Sequence, residues 1–232
     1  MAMDHATLDN IAILRELDAE DRRTLARRCA WRRFAAGQSI VTYRDPSRTV
    51  FFVVEGRARA KIYAYSGREV AFREIVAGDM FGEFAAIDDA PRSASVEAVT
   101  DALVAAMPAE VFRDAVTGHP GVALAMLNRL VGQLRALTER VFEFSTLAVR
   151  QRVRAELLRL AETADRGDNT ARISPIPTQA LIASRISTHR EAVAREMSRL
   201  ANLGIVRRHR GALVVTDLGR LRRMADEVSD PE

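Results

Sequence analysis

Leu127, Leu130, Leu134, Leu137, Val141 and Phe144 recur at alternating intervals of three and four, the a/d seam of a coiled coil. That pattern demands one uninterrupted helix from just after Gly118-His119-Pro120 to about Ser145. A strict 3.5-residue seam faces another helix more often than it packs on its own domain, so a parallel homodimer is expected through this segment. The helix also divides the chain, because the residues before and after it differ in texture.

From Trp31 to about Met107 the chain breaks into short runs rich in Val, Ile, Phe and Tyr, such as VFFVVEG and EVAFREIVAGDMFGE. Gly37, Gly56, Gly67, Gly78 and Gly82 punctuate them at the strand-and-turn spacing of a small antiparallel barrel or roll. Residues 8–30 read as mostly helical, with Leu14, Leu17, Leu25 and Ala26 as apolar points among charges. Beyond the seam, 149–163 reads as a helix and DRGDNTARISPIP as a polar connector. Two short helices, the hairpin IVRRHRGALVVTD and an amphipathic helix DLGRLRRMAD follow.

Charge separates the same regions. The net +4 of the 232 residues resolves into −1 over 1–148 (19 basic, 20 acidic) and +5 over 149–232 (16 basic, 11 acidic). Lys61 is the only lysine; arginine suits bidentate phosphate and guanine recognition, although its use throughout the near-neutral part also fits a genome-wide bias. The clustering is not explained by such a bias. One cysteine, Cys29, excludes an internal disulfide and a four-cysteine metal site, which favours a reducing, cytoplasmic setting. The histidines His5, His119, His189 and His209 show no metal spacing. No apolar run approaches a membrane span, and the first residues lack the order of a signal peptide. No nucleophile elbow, Walker loop or dinucleotide fingerprint occurs, so no enzymatic role is expected.

Within TQALIASRISTHREAVAREMSRLANLGIV, a helix is expected from about Thr178 to Arg185, a tight turn at Ile186 and Ser187, and a second helix ended by Gly204. Thr188 with Glu191 three residues later has the form of a capping box. Val193, Met197 and Leu200 share one face, with Glu191, Arg195, Ser198 and Asn202 nearly opposite and Arg190 in the first turn. Arginine forks take guanine O6 and N7, and a carboxylate accepts from cytosine N4, yet charges opposite an apolar stripe also mark any surface helix. The basic tip Arg207, Arg208, His209, Arg210 adds a grip for phosphates; seven basic against two acidic residues between Thr178 and Arg210 exceed what solubility needs.

This segment resembles the winged helix-turn-helix of the cAMP receptor protein and fumarate-nitrate regulator superfamily, whose recognition helix opens R-E-x-x-x-R, here Arg190, Glu191 and Arg195. The resemblance implies reading of a two-fold GTGA-type half-site, and a DNA-contacting set of Thr178, Gln179, Thr188, Arg190, Glu191, Arg195, Ser198, Arg207, Arg208 and Arg210. Ser187 departs from the glycine many members place in the turn.

The stretch FGEFAAIDDAPRSASVEA, residues 81–98, offers a glycine turn, a carboxylate and an arginine with a neighbouring hydroxyl. On chemistry alone, an anionic ligand and a Glu83–Arg92 structural ion pair stand equal. The stretch resembles the phosphate-binding cassette of cyclic-nucleotide-binding domains, F-G-E-[LI]-A-L followed by P-R-[ST]-A-[ST]-V, with Phe84 and Ala86 as departures. The resemblance implies that Gly82 and Glu83 hold a ribose hydroxyl, Arg92 and Ser93 a cyclic phosphate, and Thr138 of the long helix the purine. One hydroxyl stands where cAMP-responsive members use two, so cAMP is the expected effector with cGMP a second candidate.

The expected fold is α+β: a double-stranded β-helix (jelly-roll) cyclic-nucleotide-binding domain over 1–118, a dimerisation helix over 119–148 and a winged helix-turn-helix over 149–232. The expected partners are double-stranded DNA, a second copy of the chain and RNA polymerase, with no metal and no membrane. The competing readings are a same-fold regulator answering to another effector, and a nucleotide-binding module whose output is a protein partner.

Overall fold

The computed structural model describes residues 7–63 and 69–226; Gly67 and His5 lie outside the described residues. Two compact units divide between Leu134 and Arg135.

The first unit is built on alternation. In β3 (Val50–Glu55), Val50 and Phe52 join one apolar cluster while Phe51 and Val53 join another, the period of two that a strand buried on both faces requires. With β1 (Ala30–Phe34), β2 (Ser39–Val41), β4 (Arg57–Tyr63), β5 (Glu69–Val76), β6 (Met80–Phe81), β7 (Ser95–Ala98) and β8 (Ala102–Met107) it forms two antiparallel four-stranded sheets, ordered β1-β8-β3-β6 and β2-β7-β4-β5. Phe51, Val53, Ala58, Ile75, Phe81, Val96 and Val104 fill the space between them. This is the expected roll.

The amino-terminal reading is corrected. Only Ala19–Arg27 forms an α-helix (α1), preceded by a 3₁₀ turn at Ala12–Leu14. Leu8, Ile11, Leu14 and Leu17 are all buried, and their uniform spacing of three is the 3₁₀ period rather than the α period. Asp18 then starts α1 by accepting the N–H groups of Glu20 and Asp21 at 2.9 and 2.8 Å. The leucine row packs with Phe52, Met80, Met107 and Phe112 on the outer side of the first sheet. Helices α2 (Glu83–Asp88) and α3 (Ala109–Gly118) complete the roll.

Helix α4 spans Pro120–Thr146. Val122 and Met126 are buried in the first unit's core and Leu130 packs on it, whereas Leu127, Leu134, Leu137, Val141 and Phe144 are exposed.

In the second unit, α5 (Val149–Glu162) is followed by strands β9 (Asp165–Arg166) and β10 (Ala171–Ile173) where the sequence suggested only a connector. They extend the wing hairpin β11 (Val206–His209) and β12 (Ala212–Val215) into one sheet, ordered β11-β12-β10-β9. Strands of two and three residues carry too few alternations to register as a period. Helices α6 (Gln179–Arg185), α7 (Arg190–Asn202) and α8 (Leu218–Asp226) pack with α5 around Val153, Leu157, Ile182, Val193, Leu200 and Leu221. Ile205 donates to Leu200 O and Gly204 to Ala201 O, both at 2.9 Å, the Schellman pair that ends α7.

Candidate ligand cradle and nucleic-acid interface

Gly82 joins β6 to α2 with φ 85°, a conformation glycine adopts without a steric penalty. A Cβ there would stand 2.4 Å from Arg92 Nη1 and 2.8 Å from Thr49 O. The glycine therefore makes room for the arginine. Glu83 and Arg92 are both buried, but no ion pair joins them. Arg92 instead donates from Nε to Ser47 Oγ (3.2 Å), from Nη1 to Gly82 O (3.1 Å) and from Nη2 to Thr49 O (2.7 Å), and lies 5.7 Å over the Phe51 ring. Burial pulls its pKa down from the ordinary value, while Asp45 and Glu83 oppose that at longer range. The structural ion-pair reading of the cassette is thus corrected.

A guanidinium has five N–H groups; three acceptors leave one on each Nη with no partner among the described residues. Every direct partner is neutral. Ser93 is exposed beside it, and Thr138 is exposed on α4 in the second unit. Ser47 and Thr49 escaped sequence reasoning. The available signal was Asp45-Pro46-Ser47, a turn-forming triplet in the loop between β2 and β3.

In the second unit, Thr178 caps α6, its Oγ1 accepting from Leu181 N at 3.1 Å. The capping box at Thr188 does not form: α7 begins at Arg190 after His189, with no side-chain cap. Thr188 is buried, its N–H donated to Ala183 O at 3.0 Å, so the turn draws it inward and away from the helix it was expected to open. Ser187 takes φ 51° and supplies the left-handed residue without a glycine. Arg190, Glu191, Arg195 and Ser198 are exposed along α7, Gln179 is half-buried at the start of α6, and Arg207, Arg208 and Arg210 are exposed on the wing. Arg172, which sequence reasoning missed, holds the wing tip by donating to His209 O and Arg210 O at 3.4 and 3.0 Å.

The buried side of α7 is not wholly apolar. Glu196 pairs with Arg154 of α5 at 2.6 Å, both nearly inaccessible. A second chain of ion pairs runs from Glu143 of α4 to Arg159 (2.8 Å), on to Glu156 (3.1 Å), and to Arg185 at the end of α6 (2.9 Å). Arg140 and Arg152 donate to the carbonyls of Arg185 and Ile186 at 3.4 and 3.0 Å. The helix-turn-helix corner is therefore held from both α4 and α5.

Comparison with known proteins assigns the halves. The cyclic nucleotide-binding domain family matches residues 31–119 and the Crp-like helix-turn-helix domain family residues 151–224. The chain belongs to the cAMP receptor protein and fumarate-nitrate regulator superfamily. Within that superfamily it is similar to the CRP-like cAMP-activated global transcriptional regulator of Mycobacterium tuberculosis, 25% identical over 193 residues, covering 83% of this chain and 86% of that protein. A CooA mutant from Carboxydothermus hydrogenoformans shares the fold at TM-score 0.78 and 21% identity, covering 92% of this chain and 95% of that one. The c-di-GMP responsive regulator CLP of Xanthomonas campestris does so at TM-score 0.74 and 18% identity, covering 85% and 99%. The superfamily's two parts, a cyclic-nucleotide-binding roll and a DNA-binding helix-turn-helix, are both present. Among the described residues, no helix is long and apolar enough to cross a membrane.

Proposed function

We propose that the protein is a homodimeric transcription regulator that binds cAMP, with cGMP as a second effector, and then engages a palindromic GTGA-type operator. The observation that carries the effector reading is Arg92: a buried cation whose hydrogen-bond partners are all neutral. Buried charges are ordinarily paired with a counter-charge, and an anionic phosphate meeting the two remaining Nη hydrogens supplies one. Ser93 adds a hydroxyl, Gly82 and Glu83 the ribose contacts, and Thr138 the purine contact. The effector is an allosteric ligand here, and its role is to bias the protein toward a DNA-competent state.

The exposed row on α4, Leu127, Leu134, Leu137, Val141 and Phe144, supports the dimer, since water-facing apolar surface of that length favours a partner helix. Dimerisation presents two copies of α7 to successive major grooves. Arg190, Glu191 and Arg195 then read bases, while Thr178, Gln179, Ser198 and the wing arginines Arg207, Arg208 and Arg210 engage phosphates. RNA polymerase is the downstream partner in this reading.

Calorimetric titration of cAMP and cGMP into wild type and Arg92→Ala tests the effector. A loss of roughly tenfold or more is expected from removing a charged hydrogen-bonding group; equal affinity in the variant refutes the site. For DNA, Arg195→Ala is expected to weaken binding to a palindromic duplex more than to random duplex, with affinity falling as salt rises. Equal weakening on both duplexes refutes base reading.

A further inference from the structure

Arg92 is held at both ends by one loop. Along the backbone, Arg44 N donates to Arg92 O at 2.9 Å and Arg92 N to Asp45 O at 3.0 Å. This pairs the loop between β2 and β3 with the cassette loop at Arg92 by two backbone hydrogen bonds. Arg44 takes φ 65° to permit it. At the far end of the side chain, Nε donates to Ser47 Oγ at 3.2 Å. Ser47 is itself fixed, because its N–H donates to Asp45 Oδ1 at 2.7 Å across Pro46, whose ring sets φ. The Ser47 hydroxyl and N–H together hold the Asp45 carboxyl below its ordinary range, with the hydroxyl the larger cause. The Ser47 Oγ accepts from Arg92 Nε while the Ser47 backbone is tied to the Asp45 carboxylate.

We propose that Asp45 and Ser47 are positioning residues for the effector phosphate: the Asp45 carboxylate fixes Ser47 by accepting its backbone N–H, and the Ser47 hydroxyl fixes Arg92 Nε so that the remaining Nη hydrogens face the ligand as a fork. The inference rests on the reading that the phosphate binds Arg92. It goes beyond that reading because neither Asp45 nor Ser47 lies in the cassette. A guanidinium gripped at Nε, Nη1 and Nη2 by three fixed acceptors has its plane determined, and a bidentate fork gains its specificity from that plane. Gly82 O and Thr49 O constrain the two Nη atoms; Ser47 alone constrains Nε. Without it, the side chain keeps its charge and location but is free to rotate about the remaining pair.

The test is calorimetry of the full chain with cAMP and with the Rp and Sp phosphorothioate diastereomers, which place sulfur at one or the other non-bridging position. Wild type is compared with Ser47→Ala, Ser47→Thr, Asp45→Ala and Arg92→Ala, and the melting temperature of each ligand-free protein is recorded. Ser47→Ala is expected to weaken cAMP roughly tenfold, as loss of a hydrogen bond to a charged group predicts, and to narrow the Rp/Sp affinity ratio. Asp45→Ala, which removes the acceptor of the Ser47 N–H, is expected to shift both in the same direction, and Ser47→Thr, which keeps the hydroxyl, to restore both. Wild-type affinity and ratio in Ser47→Ala, with binding lost in Arg92→Ala, overturns the positioning role and leaves the phosphate site standing. Unchanged binding in Arg92→Ala overturns the site itself. Equal weakening of both diastereomers together with a lowered ligand-free melting temperature marks a loosened loop and also overturns the positioning role.

Discussion

Replacing Gly82 by alanine tests the geometry of the cradle, and Gly37 supplies a matched control. Both glycines have left-handed backbones, φ 85° and 82°, so alanine at either position carries the same conformational penalty, about 1–2 kcal/mol. The reduced entropy of the unfolded chain is likewise common to both. The surroundings differ. A Cβ on Gly37 meets nothing within 4 Å, whereas on Gly82 it stands 2.4 Å from Arg92 Nη1 and 2.8 Å from Thr49 O. The guanidinium is the softer neighbour and must withdraw, leaving Gly82 O and Thr49 O without their donor. Two hydrogen bonds from a charged group at about 1.5–3 kcal/mol each put Gly82→Ala roughly 3–6 kcal/mol below Gly37→Ala in stability of the first unit. Urea unfolding followed by tryptophan fluorescence measures the difference, since Trp31 is the single tryptophan and lies on β1 of the roll. Titration with cAMP is expected to show binding lost in Gly82→Ala and kept in Gly37→Ala. Equal stability losses with intact nucleotide binding in both variants would refute the argument that the missing Cβ makes room for Arg92.

Other outcomes concern the rest of the chain. Glu196→Ala strands the buried Arg154 and is expected to destabilise the second unit by roughly 3–5 kcal/mol in urea; a loss under 1 kcal/mol would show that the pair is hydrated. Asp18 is held below its ordinary 3.8, chiefly by the Asp21 N–H, so its contribution is present above that value and lost as pH falls through the lower folded value. The melting-temperature gap between wild type and Asp18→Ala is therefore expected to be full at pH 7 and to shrink below pH 3.8, and a gap independent of pH contradicts this. Burial pushes the Cys29 thiol up to about 12. A disulfide reagent at pH 8 is expected to modify it only after denaturant is added, and rapid modification of the folded protein would disprove its protection.

The longer strands of the roll, the long helix and the two reader helices were legible because each has enough turns or alternations to display a period. β9 and β10 were not, being too short. Leu14 and Leu17 were read as points on one helix over 8–30, and only the packing of Leu8 and Ile11 with them on the sheet sets the row apart from α1. In the cradle, the sequence pointed to Gly82, Glu83 and Arg92 through local spacing. Ser47 and Thr49 stayed hidden because they reach Arg92 across more than forty residues of chain, a separation that single-sequence periodicity does not register. Thr188 misled for the opposite reason. Its spacing to Glu191 satisfied a local rule, and the Ala183 carbonyl won the competition for its N–H.

The ion-pair chain from Glu143 through Arg159 and Glu156 to Arg185 has a bearing on how the protein can be taken apart. Charge and composition place the start of the reader at Val149, but Arg140 and Glu143 lie upstream of that point and their partners lie downstream. A fragment beginning at Val149 would expose Arg159 and empty one side of the carbonyl pair at the helix-turn-helix corner, whereas one beginning at Arg135 keeps every link. Transplanting this chain's reader by a cut at the loop after α4 would therefore leave behind the anchor that fixes its helix-turn-helix corner.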